Sequence, residues 1–298
     1  MPQRKKIVTP NNDTKVAAIV LVFFVAAVIL FSIFLKPKES HKTQVPVPSK
    51  TVEEVSPPPV QPAPQPFILN GIPGSGGKIA IIIDDWGQTT ANCQYLKEIP
   101  EPLAVSILPG LRHTKDVANC AGLYHKLTML HLPLEAFHNY DLFYPPDYLI
   151  KTTMKPALVS KIVDEDLAQL PDIEGVNNHM GSKATEDRHL MNLIFKKIKK
   201  KGLFFIDSMT AHNTVCEGLA NEMGLAFGKR DVFLDNVNTR DAITKQIMAL
   251  AQRARRKGYA VAIGHDRHLT MQVLKEKIPW LERQGFQIVS IKELLRNK

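Results

Sequence analysis

Aspartate and histidine residues in this chain follow or end short runs of apolar residues. Asp84 and Asp85 close the run at residues 79–83, and His131, His179 and His265 stand at the ends of later runs. Carboxylate oxygens and imidazole nitrogens suit zinc, which in catalytic sites takes three protein ligands and leaves one position for water. The pKa of that water falls to about 7, so hydroxide becomes available at neutral pH. These residue types therefore predict metal-assisted hydrolysis.

Two of the carboxylates are adjacent in the sequence. Successive side chains of an extended strand point to opposite faces, so Asp84 and Asp85 would not do the same job if the strand continues through them. We expect one of them to bind a metal ion and the other to take or orient a proton.

Short apolar runs alternate with longer helical patterns over residues 78–298. The predicted strands are residues 78–84, 103–108, 128–132, 175–178, 203–207, 231–234, 260–264 and 286–290. The predicted helices are residues 89–98, 115–126, 155–170, 187–201, 214–223, 240–257 and 269–283. Repeated strand–helix units form a parallel sheet with right-handed crossovers, so we predict an α/β fold, an irregular (β/α) barrel of seven to eight strands.

The carboxyl ends of parallel strands share one face of such a fold, and active sites are built there. The residues that end or follow predicted strands include Asp84, Asp85, His131, His179, Asp207, Asp235 and His265. A single carboxylate at such a position could cap a helix, but caps draw as readily on Ser, Thr and Asn. Five or six strands that deliver Asp or His to one rim therefore predict a shared site.

The first 77 residues have a different composition. Residues 16–35 are apolar except for Ser32, and 20 helical residues span about 30 Å, the thickness of a bilayer core. We predict an uncleaved signal anchor there, with residues 1–15 as a basic cytoplasmic tail and residues 36–77 as a disordered linker rich in Pro and Gly. The domain at residues 78–298 would then lie on the periplasmic or outer side of the inner (cytoplasmic) membrane.

The chain carries a formal net charge of +9, with basic clusters at residues 196–201 and 253–257. Both clusters end predicted helices, where cations complement the helix dipole, so we predict no nucleic-acid partner. The three cysteines are too few and too widely spaced for a disulfide scaffold or a zinc knuckle, although Cys93 and Cys120 could pair.

Six segments resemble the divergent polysaccharide deacetylases, a branch of the carbohydrate esterases related to chitin and peptidoglycan deacetylases. They are IIIDDWG (81–87), HLPLE (131–135), NNHMGS (177–182), FIDS (205–208), RDVFLD (230–235) and AIGH (262–265). The resemblance spans residues 78–298 and implies a hydrolase that uses zinc or another divalent transition metal. It implies an acetylated polysaccharide or amino sugar of the cell envelope as the substrate. It also implies that Asp85 binds the metal, Asp84 is the general base and His265 is the general acid.

The third metal ligand departs from the pattern of the better-known deacetylases, which take two histidines four residues apart. Here His131 is followed at that spacing by Glu135. The ligands are therefore Asp85, His131 and His179, or Asp85, His131 and Glu135. We favour His179 because it lies beside a strand end and a neutral imidazole suits zinc. The expected supporting residues are Asp207, bonded to a catalytic group, and Glu135, Asn178, Ser182 and Asp235, which would orient water or substrate.

Two other classes of function remain open from the sequence. The changed ligand pattern is also typical of a catalytically weak or inactive envelope protein that binds glycan or a partner, with the aromatic insertion at residues 133–154 as a contact surface. A metal-dependent phosphoesterase would use similar ligands, but no arginine cluster for phosphate stands at the strand ends.

Overall fold

The structure of the protein is a computed structural model that describes residues 76–138, 148–170 and 172–296. The predicted tail, the predicted anchor at residues 16–35 and all but the end of the predicted linker lie outside the described residues, as does the middle of the aromatic insertion. Within the described ranges, no helix is both long enough and apolar enough to cross a membrane.

Strands and helices alternate along the described chain. The strands are β1 (Lys78–Trp86), β2 (Leu103–Ile107), β3 (Leu127–Leu134), β4 (Gly175–Met180), β5 (Phe204–Asp207), β6 (Phe227–Lys229), β7 (Val232–Phe233), β8 (Tyr259–His265) and β9 (Gln287–Ile288). The helices are α1 (Cys93–Glu98), α2 (Thr114–Leu123), α3 (Pro156–Gln169), α4 (Arg188–Lys200), α5 (Cys216–Met223), α6 (Arg240–Lys257), α7 (His268–Arg283) and α8 (Ile291–Arg296).

All strand pairs in the sheet are parallel, and the strand order is β6-β5-β4-β3-β2-β1-β8-β7. The short β9 pairs with the first two residues of β1, where β2 has not yet begun to pair. The predicted α/β class with a parallel sheet is confirmed. The eight strands of this order form a curled half-barrel.

The two edges of the sheet are joined by a very short segment. Between β6 and β7 lie only Arg230 and Asp231. The amide nitrogen of Arg230 donates to the Asp207 carbonyl of β5 over 3.0 Å, and that of Asp231 donates to the Val261 carbonyl of β8 over 2.8 Å. One stretch of chain therefore leaves one edge and reaches the other within a few residues, which requires the sheet to curl.

The strands alternate between two apolar layers. In β1, Ile79, Ile81 and Ile83 pack in the larger cluster with the helices, whereas Ala80 and Ile82 belong to a smaller cluster inside the curled sheet. The inner cluster also contains side chains from β2, β3, β5, β8, the residue that follows β9, and α8: Ala104, Met129, Phe204, Ile206, Val261, Ile263, Val289, Ile291 and Leu294. A residue two positions beyond an inner one in a regular strand faces the same interior.

Helix ends follow the expected local chemistry. Asp187 caps α4 by accepting a hydrogen bond from the Leu190 amide, and Thr239 caps α6 through the Ala242 amide. Gly258 ends α6 in the left-handed conformation, with φ of 83°. Both basic clusters lie at the carboxyl ends of these two helices, as predicted.

The sequence pattern did not predict two elements, β6 and α8. The strand predicted at residues 231–234 is only Val232–Phe233, and β6 (Phe227–Lys229) precedes it. The β6 sequence is Phe-Gly-Lys, which lacks the β-branched run that marks a strand. Helix α8 has six residues, too few to show a helical period.

Candidate active site

The inward-facing side chains at the carboxyl ends of the strands converge on one site. Asp84 is two residues beyond the inward Ile82, His131 is two beyond Met129, and His265 is two beyond Ile263. The alternation therefore directs these three side chains toward the interior, above the inner apolar cluster. The structure brings them together with Asp85 and His179.

Strand β1 is irregular where it supplies the two adjacent carboxylates. Asp85 has φ of 64°, and the pairing register with β2 shifts between Ile83 and Trp86. Because of this left-handed residue, both carboxylates approach the same atom: His131 Nε2 is 3.7 Å from Asp84 Oδ2 and 3.2 Å from Asp85 Oδ1. The side chains were expected to point to opposite faces only if the strand is extended there, and this condition is not met at Asp85.

Three ligand atoms form a compact triangle. Asp85 Oδ1 lies 3.2 Å from His131 Nε2 and 3.0 Å from His179 Nδ1, and the two ring nitrogens are 3.2 Å apart. Ligands of a tetrahedral ion with bonds of about 2.0–2.1 Å are separated by roughly 3.3 Å. Asp85 Oδ1 is also buried without a well-aligned hydrogen bond, although both rings lie close to it. The donor types, their spacing and this unsatisfied oxygen fit a divalent metal ion.

The two carboxylates have opposite electrostatic environments. Burial raises the pKa of Asp84 above its ordinary value; the nearby His131 opposes the shift, and the Asp85 carboxylate adds to it. Burial also acts to raise the pKa of Asp85, but contacts with His131 and His179 outweigh it and hold the pKa well below the ordinary value. The surroundings therefore favour the ionised form of Asp85 more strongly than that of Asp84.

A second pair of residues lies beside this cluster. The Asp235 Oδ1 atom is 2.8 Å from His265 Nδ1, and Asp235 Oδ2 accepts hydrogen bonds from the His265 amide and the Thr270 hydroxyl at 3.0 and 2.6 Å. This leaves His265 Nε2 directed toward the cluster, 3.9 Å from Asp85 Oδ2. Burial lowers the pKa of His265, but Asp235 and Asp85 outweigh it and raise the pKa above its ordinary value. Asp235 thus orients the imidazole and stabilises its charged form.

Glu135, the other candidate for the third metal ligand, is engaged elsewhere. Its Oε2 accepts hydrogen bonds from the Thr152 amide and hydroxyl, both at 2.7 Å, and its Oε1 pairs with Lys183 Nζ at 2.9 Å. Burial acts to raise the pKa of Glu135, but Lys183 and Thr152 outweigh it and lower the pKa. The structure therefore groups His179, and not Glu135, with Asp85 and His131.

Asn178, Ser182 and Asp207 do not take the positions expected of them. Asn178 Nδ2 donates to the Met180 carbonyl at 2.7 Å, and Asp207 Oδ1 accepts from the Met209 amide at 2.7 Å. Both methionines have positive φ, 54° and 53°, so these two polar side chains stabilise strained turns after β4 and β5.

Alternation along the strands explains the difference. Asn178 shares the outward face of Val176, and Asp207 shares that of Phe205, so neither side chain turns to the interior. The second Asp207 oxygen accepts from the Thr214 hydroxyl at 2.7 Å, which completes its bonding within its own loop. Ser182 Oγ accepts a hydrogen bond from the Phe137 amide at 3.1 Å and so joins the segment after β4 to the segment after β3. Among the described residues, the Asp207 carboxylate bonds to Met209 and Thr214 and not to Asp84 or His265.

The sequence reasoning missed one residue of the site, Asn177. Its amide contacts both His131 and Asp84, each at 2.8 Å. The signal was available in the sequence, because Asn177 is two residues before His179 in the same strand and therefore shares its face.

Together these features define an α/β protein with a candidate metal centre on the carboxyl rim of a curled parallel sheet. The family model of the divergent polysaccharide deacetylases matches residues 81–295, and the chain therefore belongs to that family. The resemblance drawn from the six sequence segments is confirmed.

Relatives of this chain have been found in several bacteria. The uncharacterized protein YibQ of Escherichia coli is 30% identical over 210 residues, which cover 69% of this chain and 64% of the relative, slightly less than two thirds of its length. An uncharacterized protein of Haemophilus influenzae is 31% identical over 221 residues, covering 74% of this chain and 78% of the relative. The fold is shared with an uncharacterized protein of Agrobacterium tumefaciens, with a TM-score of 0.70, 20% identity and coverage of 74% of this chain and 90% of that one.

Proposed function

We propose that the protein is a metal-dependent hydrolase that removes N-acetyl groups from a polysaccharide or amino sugar of the cell envelope. The observation that carries this proposal is the triangle of Asp85, His131 and His179, with Asp84 and the Asp235–His265 pair beside it. Membership of the divergent polysaccharide deacetylase family supports the reaction class. Zinc is the proposed ion, because one carboxylate and two imidazoles are a typical ligand set for it.

The residues around the cluster divide the chemistry between them. A divalent ion bound by the three ligands would supply Lewis-acid polarisation of the acetamide carbonyl and increase the acidity of a water molecule. Asp84 is placed to accept the proton of the attacking water. His265, oriented by Asp235, is placed to donate a proton to the departing amine.

The phosphoesterase alternative is weaker because the arginines near the strand ends are already bonded. Arg230 donates to the Ser208 and Met209 carbonyls at 2.7 and 3.0 Å, and Arg267 donates to the Asp235 carbonyl at 2.7 Å. A phosphate would need such guanidinium groups to be available. We also propose that the anchor at residues 16–35 holds the domain outside the cytoplasm, where envelope glycans are accessible.

The test combines metal analysis with acetate release from N-acetylglucosamine oligomers and peptidoglycan. Asp84→Asn should abolish acetate release and leave the metal content unchanged, whereas Asp164→Asn, an exposed change on α3, should alter neither. Acetate release by Asp84→Asn would eliminate the assignment of the base. A wild-type protein that binds metal but releases no acetate from either substrate would favour the binding protein or the phosphoesterase.

A further inference from the structure

Asn177 is the most highly connected side chain beneath the candidate site. It is completely buried, and its amide fills all four of its hydrogen-bonding positions. The oxygen accepts from His131 Nδ1 at 2.8 Å and from Ser106 Oγ at 2.5 Å. The nitrogen donates to Asp84 Oδ1 at 2.8 Å and to Ser208 Oγ at 3.4 Å. One side chain of β4 thus joins groups from β1, β2, β3 and the end of β5.

The polarity of these bonds sets the tautomer of His131. The Ser208 hydroxyl donates its proton to the Asn178 carbonyl at 2.9 Å and therefore accepts from Asn177, so the NH₂ group of Asn177 faces Ser208 and Asp84. The amide oxygen then faces His131 and can only accept, so the proton of the neutral imidazole lies on Nδ1. The lone pair of His131 is therefore on Nε2, the atom that lies 3.2 Å from both Asp85 Oδ1 and His179 Nδ1.

We propose that Asn177 is a positioning residue that fixes His131 in the tautomer able to bind a metal and, through the same amide, holds Asp84 as an oriented acceptor. The Ser106 hydroxyl supplies the second hydrogen bond to the amide oxygen. The inference rests on the proposed function, in which His131 binds the metal and Asp84 is the base. It adds that the Asn177 side chain couples these two roles.

Two substitutions of Asn177 test its effect on His131 and its effect on Asp84 separately. Asn177→Ala removes the acceptor for His131, so the Kd for zinc should rise about 10- to 100-fold. Asn177→Asp keeps an acceptor for His131, so the Kd for zinc should stay within a few-fold of the wild type. It also removes the donor to Asp84 and places a second carboxyl group there, so acetate release should fall about 100-fold.

Asn178 provides a matched control for stability. It is also an asparagine of β4 and is 1% exposed. Its side-chain oxygen accepts a hydrogen bond from the Ser208 backbone amide, and its side-chain nitrogen donates to the Met180 carbonyl. Asn178→Ala should therefore lower the thermal stability much as Asn177→Ala does. The zinc affinity and the visible spectrum of the cobalt-substituted protein should change in Asn177→Ala and not in Asn178→Ala.

The tautomer of His131 can be determined by NMR without bound metal and without an activity assay. In the ¹⁵N-labelled wild type, long-range ¹H–¹⁵N spectra recorded with rising pH should show that Nδ1 is the nitrogen that keeps its proton when the His131 ring becomes neutral. A neutral ring protonated at Nε2 would overturn the inference, as would equal zinc affinity in Asn177→Ala and the wild type, or full acetate release by Asn177→Asp. If the wild type releases no acetate, the proposed function fails, and the tautomer and the zinc affinities still decide the role of Asn177.

Discussion

Asp166 should make the stability of the protein fall as the pH rises through neutrality. It lies on the buried face of α3 among Val159, Ile162, Val163 and Leu167, and none of its surface is exposed. Neither carboxyl oxygen has a hydrogen-bond partner among the described residues. Burial, with a smaller effect of Glu165, raises the pKa of Asp166 to about 8. The folded protein therefore holds a proton on Asp166 at neutral pH.

The size of the effect follows from the two pKa values. The unfolded value is 3.8, so between about pH 4 and pH 8 the folded state binds one more proton than the unfolded state. The free energy of unfolding then falls by about 1.4 kcal/mol for each unit of rising pH. From pH 5 to pH 7 the loss is about 2.6 kcal/mol. Stability from this group is greatest below the unfolded pKa and is lost as the pH approaches the folded pKa.

Asp166→Asn keeps the shape of the side chain and removes the titration. Urea unfolding at pH 5, 6 and 7 should show the variant gaining about 2.6 kcal/mol relative to the wild type across this range. Other titrating groups cancel in this difference because both proteins contain them. The control is Asp164→Asn, an exposed change on the same helix at a residue paired with Lys197, whose effect should vary little with pH. A difference between variant and wild type that stays constant from pH 5 to pH 7 would refute the reasoning.

Two further predictions concern the site. His179→Ala should lower the bound metal strongly and Glu135→Gln should leave it near the wild-type level, as measured by mass spectrometry of the purified proteins; the reverse pattern would favour Glu135 as the ligand. Asp235→Asn should lower kcat for acetate release about 100-fold with the metal retained. The reason is that His265 loses the carboxylate that orients its ring and stabilises its protonated form. Thr270→Val removes one hydrogen bond to Asp235 and keeps the charge, so an equal loss in that variant would contradict the explanation.

The sequence was most informative where the fold is regular. Repeated strand–helix units predicted the parallel sheet, and a parallel sheet puts the ends of its strands on one rim, which is how Asp84, His131 and His265 could be grouped in advance. The choice of His179 over Glu135 used its place beside a strand end and its ligand chemistry, and the structure groups the same residues.

The sequence was least informative where the backbone is irregular or where a loop competes for a polar side chain. Nothing in the residue types marks Asp85 as left-handed, so its direction could not be predicted. Asp207 lies at a strand end like the other candidates, but only the path of its loop reveals that Met209 and Thr214 use its oxygens. Asn177 could have been found by following the alternation back from His179.

The direction of β1 determines where the preceding chain joins the domain. Lys78 begins this strand beside Tyr259 and Gln287, at the amino end of the sheet, while Asp85 stands seven residues further on. At about 3.3 Å per residue, the point where the preceding chain joins the domain is roughly 23 Å from the candidate metal centre, at the opposite pole. The chain that precedes Lys78 therefore enters the domain away from the rim that carries the candidate metal centre.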